Sequence, residues 1–229
     1  RPLTELWGFS TGEYRVPSQE EISDALLHVG PEHASVSGET ITLDEGTKID
    51  LGAIAKGYLG DKLREILVED GVSSAMLSLG GNIVLIGSKG SRDWQVGLEI
   101  PEPDRGNGIY AVLSVSDTNV VTSGAYKRYF EEDGKTYGHI IDPSTGYPAE
   151  SGLSSVTVVC ESGTKADVLS TALYVMGLKK AEEFWRENGG FEAVFTDMDG
   201  NVYVTSGLED SFKLSGDWAE GYEVIEDQG

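Results

Sequence analysis

Glycine recurs at close intervals along the whole chain, at 30 of 229 residues, nearly double an average share of about 7%. Scattered in this way, the glycines predict many tight turns rather than a linker, because glycine adopts the positive φ that such turns require. Four stretches between them carry helical spacing. The first follows a capping box at Ser18-Gln19-Glu20-Glu21 and places Ile22, Ala25, Leu26 and Val29 on one face. The others cover 54–69, closed by Gly71, then 165–176, and 179–188, closed by Gly189-Gly190. Runs rich in β-branched and apolar residues lie at 75–79, 82–86, 94–100, 110–115, 120–122, 153–160, 191–196 and 201–205. Asp133-Gly134 and Asp199-Gly200 read as hairpin turns. Helices and strands do not alternate, which argues against a doubly wound parallel sheet. The expectation is an α+β fold with largely antiparallel sheet, in a single domain spanning 1–229.

Charge narrows the partners. Seventeen basic against 39 acidic residues leave a net −22, which argues against nucleic acid, whose binding rests on Lys and Arg neutralising phosphates. It argues equally against docking on anionic lipid. An anionic ligand would need a bound cation or a few placed donors. The single cysteine, Cys160, excludes an intrachain disulfide framework and any multi-cysteine metal site. No apolar run reaches the roughly 18 residues of a spanning helix.

Five segments could carry chemistry. Asp50 to Gly57 sits where an extended run becomes a helix. Asp50 there is either an N-cap or part of a site in which first-turn N–H groups and Lys56 face a ligand phosphate or polar ring edge. Ser78-Leu79-Gly80-Gly81-Asn82 interrupts two apolar runs; it is a bulge or tight turn, or a place where backbone closely approaches a flat or phosphorylated ligand. No G-K-[ST] follows, so it is not a Walker loop. Thr122 to Phe130 combines hydroxyls, Gly124 and the basic pair Lys127-Arg128, which suits a phosphate clamp at Arg128 or a strand with alternating exposed residues. Of three histidines, His28 and His33 lie in or near a polar helix end, whereas His139 ends a hairpin strand before Asp142-Pro143-Ser144-Thr145-Gly146. Asp142 could simply start that turn, yet an imidazole beside a carboxylate on a rigid strand end is also how a general acid/base is mounted.

The fifth segment is the sharpest. Asp167, Ser170 and Thr171 stand at i, i+3 and i+4 of a helix that is otherwise small and apolar, so their oxygens share one face. Ser and Thr can bond to the carbonyls of the preceding turn. A buried Asp cannot, and is costly without a cation or donors. Hard oxygens, one carboxylate and no soft donor point to Mg²⁺ rather than zinc.

Taken in order, LWGF at 6–9, DLGAIAKGY at 50–58, GVSSAMLSLGGN at 71–82, TSGAYKRYF at 122–130, HIIDPSTGYP at 139–148 and ADVLSTALYVMG at 166–177 resemble the ApbE family of flavin transferases over essentially the whole chain. The resemblance implies a T-fold-like architecture and FAD as substrate, its pyrophosphate at a Mg²⁺ ion. It further implies transfer of FMN from FAD to a Thr or Ser hydroxyl of an acceptor protein, with release of AMP. By motif position, Asp167, Ser170, Thr171 and the Ala53 carbonyl are the implied metal ligands. Asp50, Lys56, Ser78, Gly80, Gly81, Asn82, Arg128, Ile141 and Thr145 are implied flavin-nucleotide contacts, and His139 with Asp142 the acid/base region. In some relatives the Ser170 position is a carboxylate, so a hydroxyl there implies a somewhat weaker hold on the metal, or a coordination position left to water. Family members carry a substantial portion before LWGF, and this chain begins at that motif. A more open flavin cleft and an exposed sheet edge are the corresponding expectations. Members are commonly exported and often lipid-anchored through an N-terminal cysteine, which implies an extracytoplasmic bacterial setting. Two alternatives stand beside transfer: FAD hydrolysis to FMN and AMP, and a non-catalytic flavin- or metal-binding fragment.

Overall fold

The computed structural model describes residues 1–101, 108–216 and 218–227. They form two compact units, one made of Arg1–Leu51 with Lys127–Glu150, the other of Gly52–Tyr126 with Ser151–Gly229.

The first unit begins with a single helical turn, α1 (Pro2–Leu6), started by Pro2, whose missing N–H costs nothing at that position. The capping box does what its spacing predicts. Glu21 N–H donates to Ser18 Oγ (3.3 Å), Ser18 N–H donates to Glu21 Oε2 (2.8 Å), and α2 (Gln19–Leu26) follows. A two-stranded hairpin, β1 (Ala34–Ser37) and β2 (Thr40–Leu43), comes next. A second hairpin, β8 (Tyr129–Glu132) and β9 (Lys135–Gly138), turns through Asp133 at φ +53° and Gly134 at φ +75°, the left-handed pair of a type I′ turn. The core of this unit is Trp7, Phe9 and Ile22, packed by Phe130, Tyr137 and Tyr147. Trp7 Nε1 donates to Gly146 O at 2.8 Å, satisfying the buried indole.

In the second unit, α3 (Ala55–Glu69) leads to β3 (Ala75–Ser78), β4 (Asn82–Ile86), β5 (Trp94–Glu99), β6 (Ile109–Val115) and β7 (Asn119–Ser123). After β10 (Leu153–Cys160) come α4 (Gly163–Met176), α5 (Leu178–Asn188), β11 (Glu192–Asp197), β12 (Val202–Thr205), β13 (Phe212–Leu214) and β14 (Tyr222–Ile225). A seven-stranded sheet runs β14-β12-β11-β10-β7-β4-β3, with only the β12/β14 pair parallel, and β13-β6-β5 form a separate antiparallel sheet. The architecture is therefore α+β and mostly antiparallel. Central β10 is buried at all eight positions, and the three hydroxyls that interrupt its apolar residues are bonded inside the sheet, Ser154 and Ser155 to Thr196 and Thr157 to Thr122. Leu85, Leu113, Val194, Val204 and Phe212 form the main core. Helix α4 packs on β7 and β10 and beside α3. The alternating strand considered for 122–130 is not formed: β7 stops at Ser123 and a short 3₁₀ turn, Ala125–Lys127, precedes β8. No helix among the described residues is long and apolar enough to cross a membrane.

Candidate functional site

In the second unit, α4 presents Asp167, 4% exposed, and Ser170, fully buried, on the face turned to α3 and β7. The first usable intrahelical bond of α3 runs from Tyr58 N–H to Ile54 O (3.0 Å). Ile54 is the N-cap and has no side-chain acceptor, so the first-turn donors of α3 need a partner from elsewhere. Asp167 supplies one: Gly57 N–H donates to its Oδ2 at 2.8 Å. No hydrogen bond reaches Asp167 Oδ1 and no basic side chain pairs with this carboxylate among the described residues. The α3 ladder begins beyond Ala53, leaving the Ala53 carbonyl outside it.

Both hydroxyls follow the local pattern open to Ser and Thr. Ser170 Oγ donates to Asp167 O at 3.0 Å, and Thr171 Oγ1 to the same oxygen at 3.4 Å. A residue absent from the expected set joins them: Ser123 Oγ, at the end of β7, lies 2.8 Å from Ser170 Oγ and 3.2 Å from Thr171 Oγ1. Asp167, Ser170, Thr171 and Ser123 thus form one oxygen cluster. The close approach of α3 and α4 that allows it depends on Gly57, where a Cβ would lie 2.7 Å from Asp167 Cβ and closer still to Gly163 O.

The Ser78 to Asn82 segment resolves as the β3–β4 hairpin turn. Leu79 N–H donates to Asn82 O (2.8 Å) across Gly80 and Gly81, both at positive φ (+64° and +96°). Lys56 Nζ, one turn into α3, donates to Gly80 O at 2.9 Å. Asn82 is 2% exposed, and neither its Oδ1 nor its Nδ2 has a hydrogen-bond partner among the described residues, a rare condition for a buried amide. Ser78 ends β3 and is exposed.

The remaining expected residues lie in the first unit. Asp50 Oδ2 accepts from Thr4 Oγ1 at 2.8 Å. Thr4 belongs to α1, and the N-cap of α3 is Ile54, so the N-cap reading does not describe Asp50. Arg128 donates through Nη2 to Phe9 O, and its guanidinium lies over the Phe9 ring at 6.0 Å. His139 is held beside it: the backbone N–H donates to Arg128 O (3.1 Å) and Nδ1 lies 3.0 Å from the same oxygen. That contact selects the Nδ1–H tautomer and makes Nε2 the acceptor nitrogen. Asp142 starts the turn, its Oδ1 accepting from Ser144 N–H (2.8 Å) and Ser144 Oγ (2.7 Å). Thr145 continues it by accepting from Tyr147 N–H at 3.2 Å. Ile141 bridges to Pro148 and packs on the Trp7 core.

Do these residues fit a hard cation? Among the described residues no group of three or more His, Cys, Asp or Glu could cage one. Mg²⁺ does not require such a cage, since it keeps waters and is commonly held by one or two carboxylates plus substrate phosphates. A buried carboxylate with one N–H donor, on a helix face that also carries the Ser170 and Thr171 hydroxyls, has the donor chemistry for that role.

A mostly antiparallel α+β chain with a buried carboxylate and two hydroxyls on one helix face defines a class: proteins with a candidate hard-cation site built from one helix face and a strand end. The sequence model of the ApbE family matches residues 1–195, and the chain belongs to that family. It is 36% identical to a FAD:protein FMN transferase of Treponema pallidum, over 92% of this chain and 62% of that protein. To the protein of the same name from Escherichia coli K12 it is 35% identical, over 82% of this chain and 56% of the relative. Among solved structures, the ApbE protein of Thermotoga maritima superposes with a TM-score of 0.84 at 38% identity, covering 92% of this chain and 69% of that one. The flavin transferase ApbE of Vibrio cholerae gives 0.80 at 32%, over 92% and 68%. The chain spans less than two thirds of the length of the Treponema and Escherichia relatives.

Proposed function

We propose that this chain serves transfer of FMN from FAD to a Thr or Ser hydroxyl of an acceptor protein, with release of AMP and dependence on Mg²⁺. One observation carries the reading: in a chain of this family, the nearly buried Asp167 carboxylate has a single N–H donor, and on the same helix face Ser170 and Thr171, bonded to the Asp167 main-chain oxygen, meet the Ser123 hydroxyl. Asp167, with Ser170, Thr171 and the Ala53 carbonyl, would hold Mg²⁺. When bound, the ion would neutralise charge on the pyrophosphate oxygens, the main electrostatic demand of phosphoryl transfer.

The acceptor hydroxyl oxygen bonds to the flavin-side phosphorus, the phosphorus–oxygen bond to the AMP phosphate breaks, and AMP leaves with that electron pair. The hydroxyl proton must pass to a base. His139 suits this, because Nδ1–H directed at Arg128 O leaves Nε2 as the basic nitrogen; Asp142 is the second candidate. Lys56 and the Gly80-Gly81 turn act together, the ammonium holding the turn through Gly80 O and supplying positive charge beside backbone suited to close approach. The acceptor is a protein, and extracytoplasmic placement belongs to the same proposal.

The test is incubation with FAD and MgCl₂, with and without an acceptor protein, reading AMP release and flavin that stays attached after denaturation. Attached flavin with stoichiometric AMP supports transfer. Free FMN and AMP without attachment would mean hydrolysis, and no AMP in either arm would mean a non-catalytic module.

A further inference from the structure

Asp61 lies four residues beyond Gly57, on the same face of α3. Its carboxylate collects the start of α4, about a hundred residues away in the chain. Oδ1 accepts from Gly163 N–H (2.7 Å), and Oδ2 accepts from Thr164 N–H (2.9 Å), Thr164 Oγ1 (2.6 Å) and Ser162 Oγ (3.2 Å). Asp61 shares the capping of α4 with its N-cap Ser162: Ser162 Oγ accepts from Lys165 N–H at 3.2 Å, and Asp61 takes the Gly163 and Thr164 N–H groups and adds two hydroxyl bonds.

The two helices are fastened in matched steps. Asp61 on α3 grips Gly163 on α4, and Gly57, one turn earlier on α3, donates to Asp167, one turn later on α4. Between these points the glycines bring the backbones together: a Cβ on Gly163 would lie 3.0 Å from Gly57 O and 2.9 Å from Asp61 Oδ1. The Asp61 carboxyl is held below the ordinary carboxylate range. Burial, the largest single influence, pushes it up, and the bonds from Thr164, Gly163 and Ser162 together outweigh that push. It is therefore an anion at neutral pH, as an acceptor of four donors must be.

We propose that Asp61 is a positioning residue for the Asp167, Ser170 and Thr171 oxygens, fixing the approach of α4 to α3 so that the Asp167 carboxylate is presented to a cation in one orientation. The proposal rests on the reading of that cluster as the Mg²⁺ site. Outer partners that orient metal ligands typically change affinity by about 10- to 100-fold when removed, and Asp61 is such a partner acting through the helix backbone.

The experiment titrates Mg²⁺ alone, without FAD, into the full chain and into Asp61→Asn, Thr164→Val and Leu113→Ala, following heat of binding, with thermal midpoints measured in parallel. Leu113 is fully buried in the main core and serves as a destabilised control away from the cluster. Asp61→Asn is expected to weaken Mg²⁺ binding at least ~10-fold, and Thr164→Val, which removes one donor, by less, while Leu113→Ala lowers the midpoint with unchanged affinity. Unchanged Mg²⁺ affinity in Asp61→Asn despite a lower midpoint would overturn the proposal, leaving Asp61 a purely structural clamp. If Asp61→Asn does not fold, Thr164→Val decides: unchanged affinity there overturns the proposal as well. A wild-type chain that binds no Mg²⁺ would overturn the cation reading itself, and this proposal with it, before any Asp61 variant is consulted.

Discussion

Gly57 and Asp167 act as one device. The glycine removes a side chain so that two helices can touch, and the aspartate uses that contact to cap the first turn of α3. A methyl at position 57 would help helix propensity by up to about 1 kcal/mol, but it would press on Asp167 Cβ and Gly163 O. Overpacking prevails, and Gly57→Ala is expected to lower stability by about 1–3 kcal/mol in urea unfolding. Asp167→Ala is expected to reduce Mg²⁺-dependent flavin transfer by at least ~100-fold, more than loss of an outer partner would, while retaining a folded far-UV spectrum. A variant with wild-type transfer would remove Asp167 from the site. At this scale the sequence was informative about Asp167, Ser170 and Thr171, because helical spacing alone puts their oxygens on one face. It offered Ser123 only as one of the hydroxyls of the 122–130 run, with no link to Asp167, and was silent about Asp61. Their roles come from contacts with residues 47 and about a hundred positions away, and a serine at a strand end or an aspartate on a helix carries no local mark of that. The only available hint for Asp61 was its i+4 relation to Gly57.

Elements differ in how much of their cause is local. Helix α2 was legible to its first residue because Ser18 and Glu21 cap it by themselves. The I′ turn at Asp133-Gly134 was legible because so few residue pairs accept two positive φ values. By contrast α1 is a single turn, too short for periodicity. The β1–β2 hairpin was missed because its strands are exposed throughout apart from half-buried Leu43, so no buried face imposes an alternating pattern. Strand β14 pairs in parallel with β12, a choice made by the sheet rather than by the segment. The α2 cap also yields a pH signature. Hydrogen bonding from Arg15, with Ser18 adding its backbone N–H and hydroxyl, brings the Glu21 carboxyl down from 4.5 to about 2. A depressed carboxyl stabilises the fold above its unfolded value and loses that contribution as pH falls towards its folded value. Glu21→Gln should therefore melt below wild type at pH 7, and the gap should close between pH 4.5 and about 2. A gap that persists at the acid end would contradict the assigned cap.

For the whole molecule, the decisive quantity is charge. A net −22 repels a dinucleotide with an anionic pyrophosphate, and that repulsion acts over distances that salt screens. With Mg²⁺ saturating, the KM for FAD should fall as ionic strength rises from ~0.01 M to ~0.15 M, where the Debye length shrinks from ~30 Å to ~8 Å. A KM that rises instead would point to binding dominated by Lys56 and Arg128. The acidic balance and the mixed antiparallel architecture were both legible before any coordinates. The division into two units was not, because residues 127–150 join the N-terminal unit through long-range contacts, packing on Trp7 and Phe9 and bonds such as Trp7 Nε1 to Gly146 O. The most direct measurement is the mass of an acceptor protein after incubation with the chain and FAD, with Mg²⁺ or with EDTA, for wild type and Asp167→Ala. A mass gain of one FMN less water, confined to wild type with Mg²⁺, is the expected result; the same gain in EDTA or in Asp167→Ala would contradict a cation held at Asp167.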